Sequence, residues 1–367
     1  MLLYKGLRDQ LLEPLQAVSG IVEKRHTLPI LSNVLLETDK GILTLLATDI
    51  EIQITAQTKT ESEENTAITV GARKLQDILR SLPESSEVSL TLIDKRLQLK
   101  AGKGRFNLQT LPAEDFPQMA ITDDQPTQLV VTQKQLKKLF ALVQYAMAQQ
   151  DIRYYLNGLL LITKGNELRV VATDGHRLAY ASGVLNESLP SMEVILPRKT
   201  VLELSKQLND SEELVEIILT PNQARFKFNS IEFISKLIDG KFPDYERVIP
   251  KNHNKIIKIS RNQLIQLLQR VAILTNEKFR GVRLLLNENS LKIISNNTEQ
   301  EEAQEEIEIE YLGEPLDVGF NVTYLLDILS NVSDEIIELH LADANSSALF
   351  ILPSNENFKY VVMPMRI

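Results

Sequence analysis

The chain has 367 residues, 43% hydrophobic and 24% charged, and a formal net charge of -9. It holds no cysteine, which excludes disulfides, thiolate metal sites and cysteine nucleophiles, and no run approaches the ~18 apolar residues of a membrane span. That length exceeds one hydrophobic core and predicts two or three globular domains. The N-terminal stretch is acidic early, is interrupted by Pro14 and lacks a signal-peptide pattern, so a cytoplasmic protein is expected.

In chain order, Leu7–Val22 carries apolar residues at three- and four-residue spacing, the mark of an amphipathic helix. A hairpin unit follows from Leu28 to Ala56, with Ala-Thr-Asp at 47–49. A second helical pattern, GARKLQDILRSL at 71–82, leads into alternating strands and the segment AEDFPQM at 113–119. The same order then returns. Thr132 is a plausible N-cap for Gln133–Met147, and Tyr154–Ser182 is a second hairpin unit with Ala-Thr-Asp at 172–174, 125 residues on. PRKTVLELSKQL at 197–208 is helical, and GKFPDYERV closes the round at 240–248. In a third, fainter round, Ser260 is a candidate N-cap for Arg261–Leu274. There Ser295-Asn296-Asn297 takes the Ala-Thr-Asp place, and NVTYLLDILSNV at 321–332 is the second helix. A period near 125 is a whole domain rather than a solenoid turn. The expected fold is α+β: three tandem copies of one helix-and-sheet domain, at 1–125, 126–252 and 253–367.

The net acidity by itself argues against nucleic acid, whose phosphates are met by Lys and Arg. Its distribution argues otherwise. The six helical windows, the first counted over 7–25, carry 0, +2, +3, +2, +2 and -1, together +8, which leaves -17 for everything else. Charges on any one helix serve to solvate its outer face, but the asymmetry over all six points to helices gathered on one basic surface. If two chains closed head to tail, twelve helices at ~9 Å spacing would line a ring ~35 Å across. A duplex ~20 Å wide would pass through it, touched only at its phosphates.

Asp174-Gly175-His176-Arg177 invites an acid–base or metal reading. The four histidines (26, 176, 253 and 340) are scattered, and neither a His-x-x-x-His pair nor a Gly-rich phosphate loop occurs. A turn or cleft histidine is therefore expected at 176, with no metal and no cofactor. A DNA-processing hydrolase using Asp49, Asp174 and His176 would want clustered carboxylates that the sequence does not offer. An oligomeric scaffold that binds no nucleic acid stays open on composition alone.

Six strings carry a more specific signal: RYYLNG (153–158), VVATDGHRLA (170–179), FPDYERV (242–248), NEKFRGVRL (276–284), GFNVTYLLDIL (319–329) and YVVMPMRI (360–367). Together with LPIL near Pro29 and FPQM near Pro117, they resemble the beta subunits of bacterial DNA polymerase III, the sliding-clamp family, over essentially the whole chain. The resemblance implies a non-catalytic homodimeric ring with helices lining the hole. It also implies double-stranded DNA bound without sequence specificity, and no membrane partner. A clamp loader, the polymerase III alpha subunit, other polymerases and repair proteins would dock through short linear peptides. Carried over residue by residue, the peptide cleft comprises Thr173, Gly175, His176, Arg177, Leu178, Pro243, Arg247, Val248, Val361, Val362, Met363, Pro364, Met365 and Arg366. Arg153, Tyr155, Asn321, Tyr324 and Ser347 form its rim. DNA contacts fall on Arg25, Arg73, Gln150, Arg153, Tyr154 and Tyr155; Tyr155 can also be read as a core aromatic.

For the subunit boundary, the family pairs the first domain of one chain with the third of another. Glu299–Glu310 carries seven Glu and no base, and Lys95–Arg105 carries five bases and no acid. Opposite blocks at opposite ends suit a heterologous closing contact. The resemblance places Lys103, Arg105, Phe106, Ile273, Leu274, Glu299, Glu301, Glu302 and Glu305 there. Two departures stand out: Glu246 is acidic where the family often has a base, and the chain ends in Ile367 where Leu is common.

Overall fold

The computed structural model describes residues 1–23, 28–122 and 126–366. The first round comprises β1 (Leu2–Leu7), α1 (Arg8–Ser19), β2 (Asn33–Asp39), β3 (Ile42–Thr48), β4 (Ile52–Lys59), β5 (Thr66–Gly71), α2 (Ala72–Ser81), β6 (Glu87–Ile93), β7 (Arg96–Ala101) and β8 (Gly104–Pro112). The second has β9 (Thr127–Thr132), α3 (Gln133–Val143), long strands β10 (Gly158–Thr173) and β11 (Arg177–Pro197), α4 (Arg198–Gln207), β12 (Leu214–Leu219), β13 (Gln223–Phe228) and β14 (Ile231–Lys236). A one-turn helix α5 (Tyr245–Val248) leads to β15 (Lys255–Ser260), α6 (Arg261–Ala272), β16 (Gly281–Asn287), β17 (Ser290–Asn296), β18 (Glu302–Glu308) and β19 (Leu316–Asn321). The chain finishes with α7 (Val322–Asn331), β20 (Ile336–Leu341), β21 (Ala348–Leu352) and β22 (Asn355–Val362).

All six anticipated helices form, and each starts directly after a strand. The chain thus enters the helix from extended backbone, and a neighbouring carbonyl takes the first orphan N–H. Arg8 N donates to Ser86 O (2.7 Å), Gln133 N to Glu213 O (2.8 Å), Arg261 N to Glu335 O (2.9 Å) and Val322 N to Arg280 O (2.8 Å). The side-chain cap expected of Ser260 is not made: Ser260 occupies the N-cap position of α6, but its side chain makes no capping bond. Asn321 does cap α7, its side chain accepting from Thr323 N at 2.8 Å.

The chain packs as two compact units, Met1–Lys134 with Leu202–Leu237, and Gln135–Val201 with Ile238–Ile367. The first holds a 12-stranded sheet in the order β1-β6-β7-β8-β5-β2-β3-β4-β14-β13-β12-β9. The apolar stripe of α1 (Leu11, Leu15, Val18) is buried over it. The second unit holds a six-stranded sheet, β10-β11-β22-β21-β20-β15, and a four-stranded one, β18-β17-β16-β19. In it α6 buries Leu264, Leu267, Leu268 and Val271, and α7 buries Val322, Leu325, Ile328 and Leu329. No helix among the described residues is long and apolar enough to cross a membrane.

The repeated Ala-Thr-Asp is a turn device. Thr48 Oγ1 donates to Ile52 O and accepts from Ile50 N, while Asp49 Oδ1 accepts from Glu51 N and Ile52 N. Thr173 and Asp174 do the same for Arg177 O, Gly175 N, His176 N and Arg177 N. In the third round Asn297 Oδ1 accepts from Glu299 N and Glu301 N. Short polar side chains here take the backbone donors of a tight reversal.

The first two turns each launch a strand that joins one round to the next. β4 pairs antiparallel with β14, from Ile52↔Ser235 to Ala56↔Ile231. β11 pairs the same way with β22, from Arg177↔Val362 to Ala181↔Phe358.

Candidate functional site

The described cleft residues all belong to the second unit, around the turn between β10 and β11. Gly175 adopts φ +88, a left-handed conformation that glycine takes without steric cost. A Cβ there would lie 3.0 Å from both terminal nitrogens of Arg153. Arg153 is anchored in turn by Asp151, which accepts from its backbone N (2.8 Å), Nε (3.0 Å) and Nη2 (2.8 Å). The Arg153 side chain, followed by its backbone N–H, holds the Asp151 carboxyl down to about 2. Arg153 Nη2 also donates to Asp174 O at 3.2 Å, so the 151–155 loop and the turn are one hydrogen-bonded body.

Beneath them lies an apolar floor. Strand alternation turns Leu178 and its partner Val361 inward, where they are buried with Leu160, Ile162, Val171, Phe242, Tyr245 and Leu349. Tyr155 packs against this cluster, half-buried, while Tyr154 stays 59% exposed with its ring 6.0 Å from that of Tyr155. The core alternative for Tyr155 is therefore met in part. Pro243, Arg247 and Val248 form an exposed rim, with Arg247 Nε 2.8 Å from Asp244. Glu246 points its charge at Arg169 (3.2 Å), which also donates to Tyr245 OH.

The tail closes one wall. Met363 N donates to His176 O and Met365 N to Gly319 O, both at 2.8 Å. The chain end is thus held at the turn and again at β19. Val362 is buried, Pro364 and Met365 are half-buried, and Met363 and Arg366 are exposed. Asn321, Tyr324 and Ser347 are half-buried nearby in sequence to β19, α7 and β21. His176 is a turn residue with an exposed side chain, and no group of three or more His, Cys, Asp or Glu among the described residues is placed to hold a metal.

Arg177 reaches away from the turn. It bonds to Asp174 through Nε (3.1 Å), to Tyr145 O through Nη2 (2.6 Å) and to the Asp327 carboxylate through Nη1. Its guanidinium lies 4.5 Å over the Tyr324 ring. Burial pushes the phenols of Tyr145 and Tyr360 above their ordinary range; these rings sit 5.6 Å apart behind it. Tyr145, Asp327, Phe242 and Tyr245 escaped the sequence reading. Only the period-2 burial pattern hinted at an apolar floor, and nothing local pairs residue 177 with residue 327.

The other expected sites divide. Arg25 lies outside the described residues. Arg73 is exposed and donates to Val22 O at 2.8 Å, and Gln150 is exposed with φ +57. Lys103 and Arg105 stand exposed at the β7–β8 turn with Phe106 half-buried beside them. Ile273 is 77% exposed after α6, and Leu274 is half-buried. Glu299, Glu301 and Glu302 are exposed at the start of β18. Glu305 is already engaged by Arg270 of its own chain, at 2.5 and 3.0 Å.

Three family models match in order: DNA polymerase III beta subunit N-terminal domain over residues 6–120, central domain over 130–244 and C-terminal domain over 246–366. The beta sliding clamp of Pseudomonas putida is 48% identical over 364 residues, 98% of either chain. That of Escherichia coli (strain K12) is 46% identical over 363 residues, again 98% of either chain. A solved Pseudomonas aeruginosa sliding clamp (DNA polymerase III subunit beta) bound to griselimycin matches with 46% identity and a TM-score of 0.96 over 100% of both chains. The chain belongs to the DNA polymerase III beta subunit family and is a DNA sliding clamp, a non-catalytic processivity factor of replication.

Proposed function

We propose that two copies close head to tail around duplex DNA, and that each offers one cleft to short peptides of replication and repair partners. The observation that carries this reading is the repeated strand joint. β4 finds β14 and β11 finds β22, but β18, the corresponding strand of the third round, is a sheet edge. β8, the corresponding last strand of the first round, meets β5 only at residues 110–112. Exposed strand edges are templates for pairing. Carrying the strand joint through the repeats sets the β18 edge of one copy beside the β8 edge of the other. The Lys103–Arg105 end of β8 then meets the acidic strand β18, with Ile273 and Leu274 assigned to the apolar centre. Charge reversal at Glu301, Glu302 and Glu305 is expected to shift the dimer to monomer in low salt; an unchanged sedimentation profile refutes that closure.

The three domains are assigned to 1–125, 126–252 and 253–367, and the basic helices to the hole. Arg25, Arg73, Gln150, Arg153, Tyr154 and Tyr155 would meet phosphates and sugars without reading bases. The cleft residues named above, with their apolar floor and few placed polar groups, suit a peptide anchor, and the Met363–Met365 wall suits varied partners. Clamp loader, polymerase III alpha subunit and other polymerases are the partners expected there, in the cytoplasm. The deciding experiment is retention on nicked circular DNA after a clamp loader and ATP are added, followed by linearisation. A ring is retained and slides off the cut ends. Turnover of the DNA, or no retention at all, overturns the reading.

A further inference from the structure

At the second strand joint, a guanidinium clasps the turn to α7; at the first, the corresponding helix makes its contact with an amide. In the first unit, Gly20 follows α1 and leaves room for Glu203 of α4: a Cβ on Gly20 would lie 2.8 Å from Glu203 Oε2. Gln207 then reaches from α4 to donate to Ala17 O at 3.0 Å. In the second unit the equivalent positions, 125 residues on from α1 and 124 on from α4, are Tyr145, Asp327 and Asn331. Asn331 is one methylene shorter than Gln207, and its amide turns back onto Asp327 O of its own helix at 2.8 Å. A cavity of about 300 Å³ lies beside it, lined by Leu142, Lys138 and Asn331 among others. The span that Gln207 makes in the first unit falls here to Arg177. Its guanidinium, with the side chain only 10% exposed, bonds forward to Asp327 on α7 and to Tyr145 O after α3, and back to Asp174 in its own turn.

We propose that Asp327 is a positioning residue of the peptide cleft, holding Arg177 from α7 and so setting the Thr173–Arg177 turn and the tail bound to it. The inference rests on the cleft reading above. A guanidinium this buried requires its donors to be met in a fixed planar fork, and loss of the Asp327 carboxylate leaves Nη1 unmet in a poorly solvated place, with Asp174 and Tyr145 O holding only the other nitrogens. Arg177 then swings toward water, and the turn moves with it. His176 O is part of that turn and holds Met363 N at 2.8 Å, so the displacement reaches the cleft wall although Asp327 itself need not touch a peptide.

The test is titration of the full-length chain with griselimycin, for the wild type, Asp327→Ala, Arg177→Ala and the double variant. Asp327→Ala is expected to weaken binding about tenfold, less than direct loss of a buried interfacial charge partner, because Asp327 acts through Arg177. In the Arg177→Ala background it should add nothing, because coupled residues fail to add. Asp327→Asn keeps the size and one acceptor of the side chain and should lose less; it decides the matter if Asp327→Ala does not fold. Asp317→Ala, which breaks an exposed pair with Arg283 on the four-stranded sheet, should leave affinity unchanged. Unchanged binding in both Asp327 variants, or an equal loss with and without Arg177, overturns the positioning role. A wild-type chain that does not bind griselimycin overturns the cleft reading, and the inference with it.

Discussion

In the first unit, Leu35, Leu46 and Phe116 form a small buried cluster flanked by Ile30 and Ala113. In the second, the same repeat positions are Leu160, Val171 and Phe242, yet the cluster continues through Ile162, Leu178, Ile195, Tyr245, Leu349 and Val361. Two of the added positions replace polar residues, Ile162 standing where Glu37 does and Leu178 where Gln53 does. Gln53 is buried, and its side-chain oxygen accepts from Met119 N at 2.8 Å, so the first unit's own closing segment is bonded over that spot. Leu178 can accept nothing. The floor stays apolar, and residues 243–248 stand beside it, tied to β10 at Arg169 through Tyr245 OH and Glu246. One backbone plan thus yields a sealed joint and an apolar cleft by exchanging a few side chains.

The largest effect is expected where that exchange is reversed. Leu178→Gln puts an amide into the apolar floor without the acceptor role that Met119 gives Gln53, and should cut griselimycin affinity about 100-fold, or ~3 kcal/mol, as for an interface hot spot. Calorimetric affinity within about twofold of wild type would break the comparison.

The two turns offer a smaller contrast. Gly175 and Ile50 occupy the same place, at φ +88 and +78, where a β-branched side chain is strained. Ile50→Gly should therefore raise the urea midpoint, by up to ~1 kcal/mol of stability. Gly175→Ala should lower it by at least ~1 kcal/mol while displacing Arg153. Shifts of the same sign in both variants would show that the turns do not share their strain.

The smallest effect concerns pH. Asp151, held down to about 2 from the ordinary 3.8 of its carboxyl, contributes stability that is present above the unfolded pKa and lost as pH falls through the folded one. Backbone NMR shifts of Arg153 and Tyr154 should hold from pH 7 to about 4 and change only near 2. A transition centred at 4 would mean that Arg153 does not hold the carboxylate.

Much of this was legible locally. Helix positions follow from apolar spacing and the Ala-Thr-Asp turns from short polar side chains, and both act within a few residues, so each copy of the repeat announces its own elements. Even the strand joints follow once one is known, since β11 repeats β4 with its partner strand. The ownership of charges did not follow. Glu305 reads as free for a partner subunit but is held by Arg270, 35 residues away. Glu246 looks out of place until Arg169, 77 residues away, meets it, and Arg177 finds Asp327 across 150 residues. Three like domains and their turns can be written down from residue order, because periodicity and turn chemistry are short-range. Which carboxylate meets which guanidinium follows only from the folded chain, because strands and helices from different rounds must first come together.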